Sequence, residues 1–398
     1  MPNLFSFKIT SAPGDNRFMR TGIIKTPHGE IKTPAFIPVG TQATVKAMTR
    51  EMVDAAGGQA ILANAYHLYL RPGHSIIERA GGLGKFMSWG KPTFTDSGGF
   101  QVLSLGSGYK KVISMDADNS LNTPKSSRHA FVDDDGVNFK SHLDGSMHRF
   151  TPELSMQIQF ALGADICFAF DELTSLADPY DYQVEALGRT HKWAERSIAE
   201  FRRLQQDSDR PYQALFGVLQ GANYEDLRRD TAKYLGDMDF NGYGIGGAIE
   251  KSQLGDIVRW VNEELPAGKP KHLLGISEPD DMFEAVAMGI DTFDCVSPTR
   301  VARNGAFYTL DGRKNIRVAE NKSNFDLLST DCECYTCNNY TKAYLHHLSR
   351  SKEMLGSTLL SIHNEHFIIK LVDSMRQHIS NGTFNDFRSD WLDRYYKN

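Results

Sequence analysis

The sequence predicts an α/β fold, a (β/α)8 TIM barrel, from three observations. Eight short apolar runs recur along the chain, helical stretches usually follow them, and several runs end on residues able to do chemistry. In such a barrel the functional groups stand at the C-terminal ends of the strands.

The elements follow in order. FSFKIT and then MRTGIIKTPHGEIKTPAFIPV predict short strands joined by turns at Ala12-Pro13-Gly14-Asp15 and Pro27-His28-Gly29, a small antiparallel sheet at the N-terminus. The barrel runs are AFIPVGT, AILANAYHL, PTFTDSGGFQ, ADICFAFDE, ALFGVLQG, GYGIGGA, HLLGIS and DTFDCVSPTR. Among their ends are Asp96, Asp171, Gln220, Gly247 and Asp294. An open doubly wound sheet also carries ligands at its strand ends, but it calls for an early G-x-G-x-x-G turn, and none stands near the first strand. Residues 106–140 are polar and predict a strand-rich, partly mobile excursion from the barrel. After Arg303 the chain turns polar again, carries a cysteine cluster, and enters a helical C-terminal region. The expected organisation is one barrel domain over 1–385, a zinc-binding subdomain inserted at about 304–370, and a C-terminal tail at 386–398.

With 40% apolar and 23% charged residues, the 398-residue chain reads as an ordinary globular protein. The start MPNLFSFKIT shows no basic segment followed by an apolar one, and no apolar run approaches the roughly 20 residues of a membrane span. The expectation is a cytoplasmic protein with no membrane partner. A net charge of −5 excludes indiscriminate phosphate gripping, so any nucleic-acid contact must be local and basic.

Of the five cysteines, three lie in Cys332-x-Cys334-x-x-Cys337, a spacing poor for disulfides and good for one metal ion. A tetrahedral zinc needs a fourth ligand, and His346, His347, His363 and His366 are candidates. The site would staple the C-terminal region rather than perform chemistry.

Carboxylates carry the chemistry. Asp96 ends an apolar run in TFTDSGGFQV, where two glycines permit close backbone approach. Asp294 sits in GIDTFDCVSPTR among apolar neighbours. Either alone fits a turn or helix cap; two at strand ends facing one barrel mouth suit a glycosidic displacement, one attacking C1′ and the other moving protons. Asp171 could accept from the N1–H and exocyclic amine of a guanine-type ring, while Gln220-Gly221 and Gly246-Gly247 could donate to its carbonyl oxygen. Phe100 and Leu274 are candidate stacking surfaces or, more blandly, core. The local basic cluster follows Asp294: Arg300, Arg303, Arg313, Lys314 and Arg317, interleaved with Asn304, Tyr308 and Asn315, placed to hold phosphates beside a nucleotide.

With these residues in view the chain resembles the tRNA-guanine transglycosylase family, also called queuine tRNA-ribosyltransferases. The resemblance rests on TDSGGFQ at 95–101, FDE at 170–172, LQG at 219–221, GYGIGG at 242–247, FDCVSPTR at 293–300, ARNG at 302–305, and CECYTC with its distal His363-Asn364. It implies exchange of guanine for a 7-deazaguanine (preQ1 or queuine) at position 34 of tRNAs with a GUN anticodon, through a covalent aspartyl-ribose intermediate. Asp294 would be the nucleophile and Asp96 the general acid/base. Ser97, Asp171, Gln220 and Gly247 would hold the base, with Phe100 and Leu274 stacking on it. Arg300 and Arg303 would contact the anticodon loop. Cys332, Cys334, Cys337 and His363 would bind one structural Zn2+, and the protein would be a homodimer. Leu173 replaces the Cys of bacterial and the Val of animal members, and Ala248-Ile249-Glu250 is two residues shorter than the usual loop. Leu173 adds apolar bulk while the shorter loop removes wall, and since the loop opens more space than one side chain closes, a pocket wide enough for queuine as well as preQ1 is expected. A non-catalytic RNA-binding subunit, exchange at another nucleic-acid site, and a barrel hydrolase acting on small molecules are the rival readings. Retention of both Asp96 and Asp294 speaks against the first, and the basic cluster against the last.

Overall fold

The computed structural model describes residues 5–14, 16–101, 130–206 and 208–397. Strands β1 Ser6–Ser11, β2 Thr21–Thr26 and β3 Gly29–Thr33 form the small N-terminal sheet; Asp15 of the first expected turn lies outside the described residues. The main sheet comprises β4 Ala35–Pro38, β5 Ile61–Ala63 and β6 Thr93–Thr95. After the three strands of a separate sheet (β7 Ala130–Asp133, β8 Gly136–Lys140, β9 Met147–Phe150) it continues with β10 Ile166–Phe168, β11 Ala214–Leu219, β12 Gly242–Ile245, β13 Lys271–Leu273 and β14 Thr292–Cys295. Its order is β4-β14-β13-β12-β11-β10-β6-β5, and a parallel bridge between Val39 and Leu62 ties the two ends. It is a nearly closed parallel barrel of eight strands, one from each run predicted. Among the described residues no helix is long and apolar enough to cross a membrane.

Two compact units divide the chain: 1–7, 24–29 and 63–274 in the first, and 8–23, 30–62 and 275–398 in the second. In the first unit the barrel strands β6, β10, β11, β12 and β13 are buried throughout, including all six residues of β11, ALFGVL, as parallel strands covered by helices require. Aromatic rings fill the interior where glycines leave room. A Cβ on Gly242 would lie 2.5 Å from the Phe216 ring, and one on Gly244 would lie 2.9 Å from Phe168. Phe168 in turn lies edge-on to Phe216, with centroids 5.7 Å apart, and 5.1 Å from the His272 ring. Barrel interiors are packed cores, and these rings do the packing.

The β7-β8-β9 sheet is antiparallel and packs on the helix Ala65–Leu70, with Tyr66 5.4 Å from Phe139 and Tyr69 5.0 Å from Phe150 between centroids. The strand-rich excursion expected at 106–140 is thus strand at 130–133 and 136–140; its remainder, 106–129, lies outside the described residues.

In the second unit, the helix Ser297–Arg303 follows β14 directly, with Pro298 in its first turn where a missing N–H costs nothing. The hairpin β15 Ala306–Thr309 and β16 Gly312–Asn315 comes next, then the helices Tyr335–Asn339, Lys342–Arg350, Met354–Asn381 and Phe384–Tyr396. A buried ion pair, Arg20 to Asp291 at 2.6 Å, fixes the chain entering β14.

Candidate active site and metal cluster

In the first unit, Asp96 follows β6 immediately and its carboxylate is surrounded by donors. The Asn64 amide donates to Oδ2, the Ala65 N–H donates to Oδ1 at 2.7 Å, and Gln101 Nε2 donates to Oδ2 at 2.8 Å. Donors on both oxygens hold it in one orientation. Asn64 and Ala65 stand at the end of β5, so two neighbouring strands position this one group.

Asp171 lies beyond β10 and is buried. Ser97 Oγ donates to its Oδ1 at 2.9 Å and Gln220 Nε2 to its Oδ2 at 2.6 Å. Burial pushes its carboxyl up from 3.8 to about 6, against the opposing effect of these two hydrogen bonds. The close approach the two glycines allow is real: a Cβ on Gly99 would stand 2.6 Å from the Asp171 carbonyl oxygen, and Gly98 has φ +83°. The next residue, Glu172, is clamped. Arg189 Nε donates to its carboxylate at 2.6 Å, Tyr182 OH at 2.7 Å, and its own N–H donates to Thr190 Oγ1 at 3.1 Å. This buried pair holds the loop that presents Asp171.

Gln220 follows β11 and Gly247 lies just past β12, with φ +99°, a left-handed conformation suited to glycine. Leu274 follows β13 and is half-buried, its Cδ1 3.3 Å from a Cβ built on Gly246. Phe100 is 42% exposed, which favours a contact surface over the core role. Ser97, Asp171 and Gln220 are therefore brought into direct contact, with Gly247 beside Gln220. Together they offer a carboxylate acceptor flanked by an amide and a hydroxyl, the complement of a planar ring with adjacent N–H groups and a carbonyl oxygen.

In the second unit, Asp294 is buried within β14, and its Oδ1 accepts from the Gly275 N–H at 3.4 Å. Arg300 and Arg303 occupy the last turn of the helix Ser297–Arg303 and are exposed. Among the described residues neither forms a salt bridge. Burial first and the nearby Arg300 charge second lower the Arg303 pKa, so the two cations feel each other and would gain from an anion. Arg313 reaches Glu278 at 3.3 Å, and Arg317 Nε donates to Ser349 at 2.8 Å, which leaves Lys314, Arg300 and Arg303 the better placed for phosphate. Tyr308 does not belong to this basic surface. It is fully buried and stacked on Phe367 at 5.6 Å, because β15 turns it inwards.

The second unit also assembles the metal cluster. The ligand atoms of Cys332, Cys334, Cys337 and His363 all lie within 4.8 Å of one another. His363 Nδ1 stands 3.6, 3.6 and 3.3 Å from the three sulfurs in that order. A sulfur and a nitrogen on a tetrahedral zinc are roughly 3.6 Å apart, so the cage has the right size. His363 Nε2 donates to the Tyr308 carbonyl oxygen at 2.7 Å, which fixes the tautomer and leaves Nδ1 as the ligand atom. Of the four candidate histidines, geometry selects His363. The next residue, Asn364, donates to the carbonyls of Pro298 at 3.0 Å and Ala306 at 3.1 Å, and its Oδ1 accepts from the Tyr308 N–H at 3.2 Å.

Asn64 and Gln101 were missed as functional partners by sequence reasoning, although the AILANAYHL run visibly ends on Asn64. The arginine of the Arg189–Glu172 clamp and the buried Arg228 left no local signal, since each is one charged residue in a helix.

A parallel barrel with carboxylates at its strand ends, a base-shaped polar set and a separate Cys3His cluster defines an enzyme of the barrel class. The comparisons narrow this. The family model described as queuine tRNA-ribosyltransferase matches residues 15–397. Proteins named queuine tRNA-ribosyltransferase from Thermoanaerobacter pseudethanolicus and Lactococcus lactis subsp. cremoris are 47% and 45% identical over 379 residues. Each alignment spans 94% of this chain, with 94% and 92% of those proteins. One from Herpetosiphon aurantiacus is 43% identical over 396 residues, 99% of this chain and 93% of its own. The chain belongs to the queuine tRNA-ribosyltransferase family, a family of pentosyl-transferring enzymes.

Proposed function

We propose that this protein exchanges guanine at the wobble position of tRNAs with a GUN anticodon for a 7-deazaguanine, preQ1 or queuine. The observation that carries the reading is the buried contact of Ser97, Asp171 and Gln220, a set that matches the hydrogen-bonding edge of guanine. In the first half-reaction an Asp294 oxygen bonds to C1′ as the C1′–N9 bond breaks, its electron pair leaving with guanine. Asp96 gives the departing base its proton. In the second, Asp96 takes the N9 proton of the incoming base, N9 attacks C1′, and Asp294 departs as a carboxylate. Asp96 therefore ends the cycle as it began. The donors from Asn64, Ala65 and Gln101 hold in one orientation the group that moves both protons.

Asp171 takes the N1–H and the amine of the base, Ser97 supports Asp171, and Gln220 with the Gly247 N–H donates to the ring oxygen. Phe100 and Leu274 cover its faces. Arg300 and Arg303 hold anticodon-loop phosphates. The cluster of Cys332, Cys334, Cys337 and His363 holds one Zn2+ that cross-links the fold and takes no part in bond making. Exposed aromatics of the second unit, Phe325 at 76% and Tyr335 at 54%, suit burial in a homodimer, which light scattering would detect.

Labelled guanine incubated with unmodified tRNA tests the reading. Label should appear at position 34 alone, and a protein–RNA adduct should survive denaturation. Asp294→Asn should abolish that adduct, while Asp96→Asn should slow exchange by about 10²-fold or more. Label elsewhere, or an adduct in Asp294→Asn, would sink it.

A further inference from the structure

Arg228 is a fully buried charged side chain of the first unit. It lies in the helix Glu225–Gly236, in the same stripe as Leu227, Thr231, Ala232 and Leu235, and is 0% exposed. Among the described residues it pairs with no carboxylate. Instead Nε donates to the Ala222 carbonyl at 2.8 Å, and Nη1 to the carbonyls of Gly246 at 2.9 Å and Leu219 at 3.3 Å. These three oxygens bracket Gln220 on both sides and immediately precede Gly247. Although burial pulls its pKa down, to about 9, the guanidinium is charged at neutral pH.

Two buried atoms beside it have no partner: Arg228 Nη2 and Gln220 Oε1. Both face the same glycine. A Cβ built on Gly247 would stand 2.8 Å from Gln220 Oε1 and 3.0 Å from Arg228 Nη2. A buried donor on a cation and a buried amide oxygen, both unmatched and both against one Cα, are costly unless another state of the site pairs them. That state follows from the proposed base exchange, on which this inference rests. In the free site Gln220 Nε2 is spent on Asp171 Oδ2. A bound guanine needs both Asp171 oxygens for its N1–H and amine, so the Gln220 carboxamide must turn to its carbonyl oxygen.

We propose that Arg228 is a positioning residue for recognition of the purine carbonyl: its Nη2 takes Gln220 Oε1 when the base displaces Gln220 from Asp171, and so aims the Gln220 N–H at the ring oxygen. A hydrogen bond from a cation to the amide oxygen also makes the amide N–H a stronger donor. The same side chain, through the Gly246 carbonyl, fixes the peptide that carries the Gly247 N–H. One buried cation thereby sets both donors.

A double-mutant cycle tests this, with labelled guanine and unmodified tRNA as substrates. Arg228→Lys keeps the charge and loses the fork. In the otherwise native enzyme it should raise the guanine KM about 10-fold with kcat changed far less; in a Gln220→Ala background the same change should raise it less than about 2-fold. An equal factor in both backgrounds, or a loss confined to kcat, would overturn the proposal and leave Arg228 a scaffold residue. Should Arg228→Lys fail to fold, a crystal structure of the native enzyme with guanine decides: Gln220 Oε1 within hydrogen-bond distance of Arg228 Nη2 supports it, and Oε1 pointing elsewhere overturns it. A native enzyme that incorporates no guanine would instead overturn the exchange reading itself.

Discussion

Replacing Asp171 by Asn should make the protein more stable at pH 8 while removing its grip on the base. Burial raises the Asp171 carboxyl from 3.8 to about 6. At 1.36 kcal/mol per pH unit, the ionised form therefore costs the folded state about 3 kcal/mol relative to the unfolded chain. The sign follows from the raised pKa. The penalty is fully present above pH 6 and shrinks as pH falls from 6 towards 4, where both states are protonated. Asn carries no such penalty and keeps the hydrogen bonds. Its oxygen can accept from Ser97 Oγ, and its NH2 can donate to the unpartnered Gln220 Oε1 once that amide turns over. Urea unfolding at pH 8 should show Asp171→Asn more stable by up to about 3 kcal/mol, and at pH 5 by about half as much. Guanine affinity should be lost in the variant and, in the native protein, should fall as pH drops through 6. A variant no more stable than the native protein, or a gain independent of pH, would refute the claim that the site holds a strained carboxylate for function.

Metal analysis should find one zinc per chain, and Cys334→Ser should lose it together with thermal stability of the C-terminal helices; full metal content in that variant would defeat the assignment. Arg300→Ala and Arg303→Ala should each flatten the dependence of log tRNA affinity on log salt by about 1, while leaving guanine KM unchanged. The pocket bounded by Leu173 and the short Ala248–Glu250 loop should admit queuine as well as preQ1, so their kcat/KM values on one tRNA should differ by less than about 10³-fold.

The barrel was legible because each of its strands is a short apolar run bounded by polar or glycine-rich residues, a pattern set by burial on both faces. The strand-end residues were legible for the same reason: a polar group closing such a run stands out. Asn64 closes one too, but its contact with Asp96 joins the ends of two different strands, which no local pattern reports. Arg228 and the Arg189–Glu172 clamp were not legible. Their roles depend on which backbone carbonyls or carboxylates a long side chain meets after folding, and helical periodicity carries no trace of that. Tyr308 shows the reverse error, a tyrosine amid basic residues on a strand whose consecutive residues Phe307, Tyr308 and Thr309 are all buried. The choice of His363 over His346, His347 and His366 came from resemblance, since three thiolates cannot specify by spacing which histidine a later helix will deliver.

The helix Met354–Asn381 delivers two consecutive side chains with different errands: His363 closes the metal cage, while Asn364 bonds to Pro298 within the helix that carries Arg300 and Arg303. A metal held in that cage would brace, through Asn364, the helix that carries Arg300 and Arg303. On the proposed function, loss of the metal should weaken tRNA binding first, because the Ser97–Asp171–Gln220 hydrogen bonds lie wholly within the first unit.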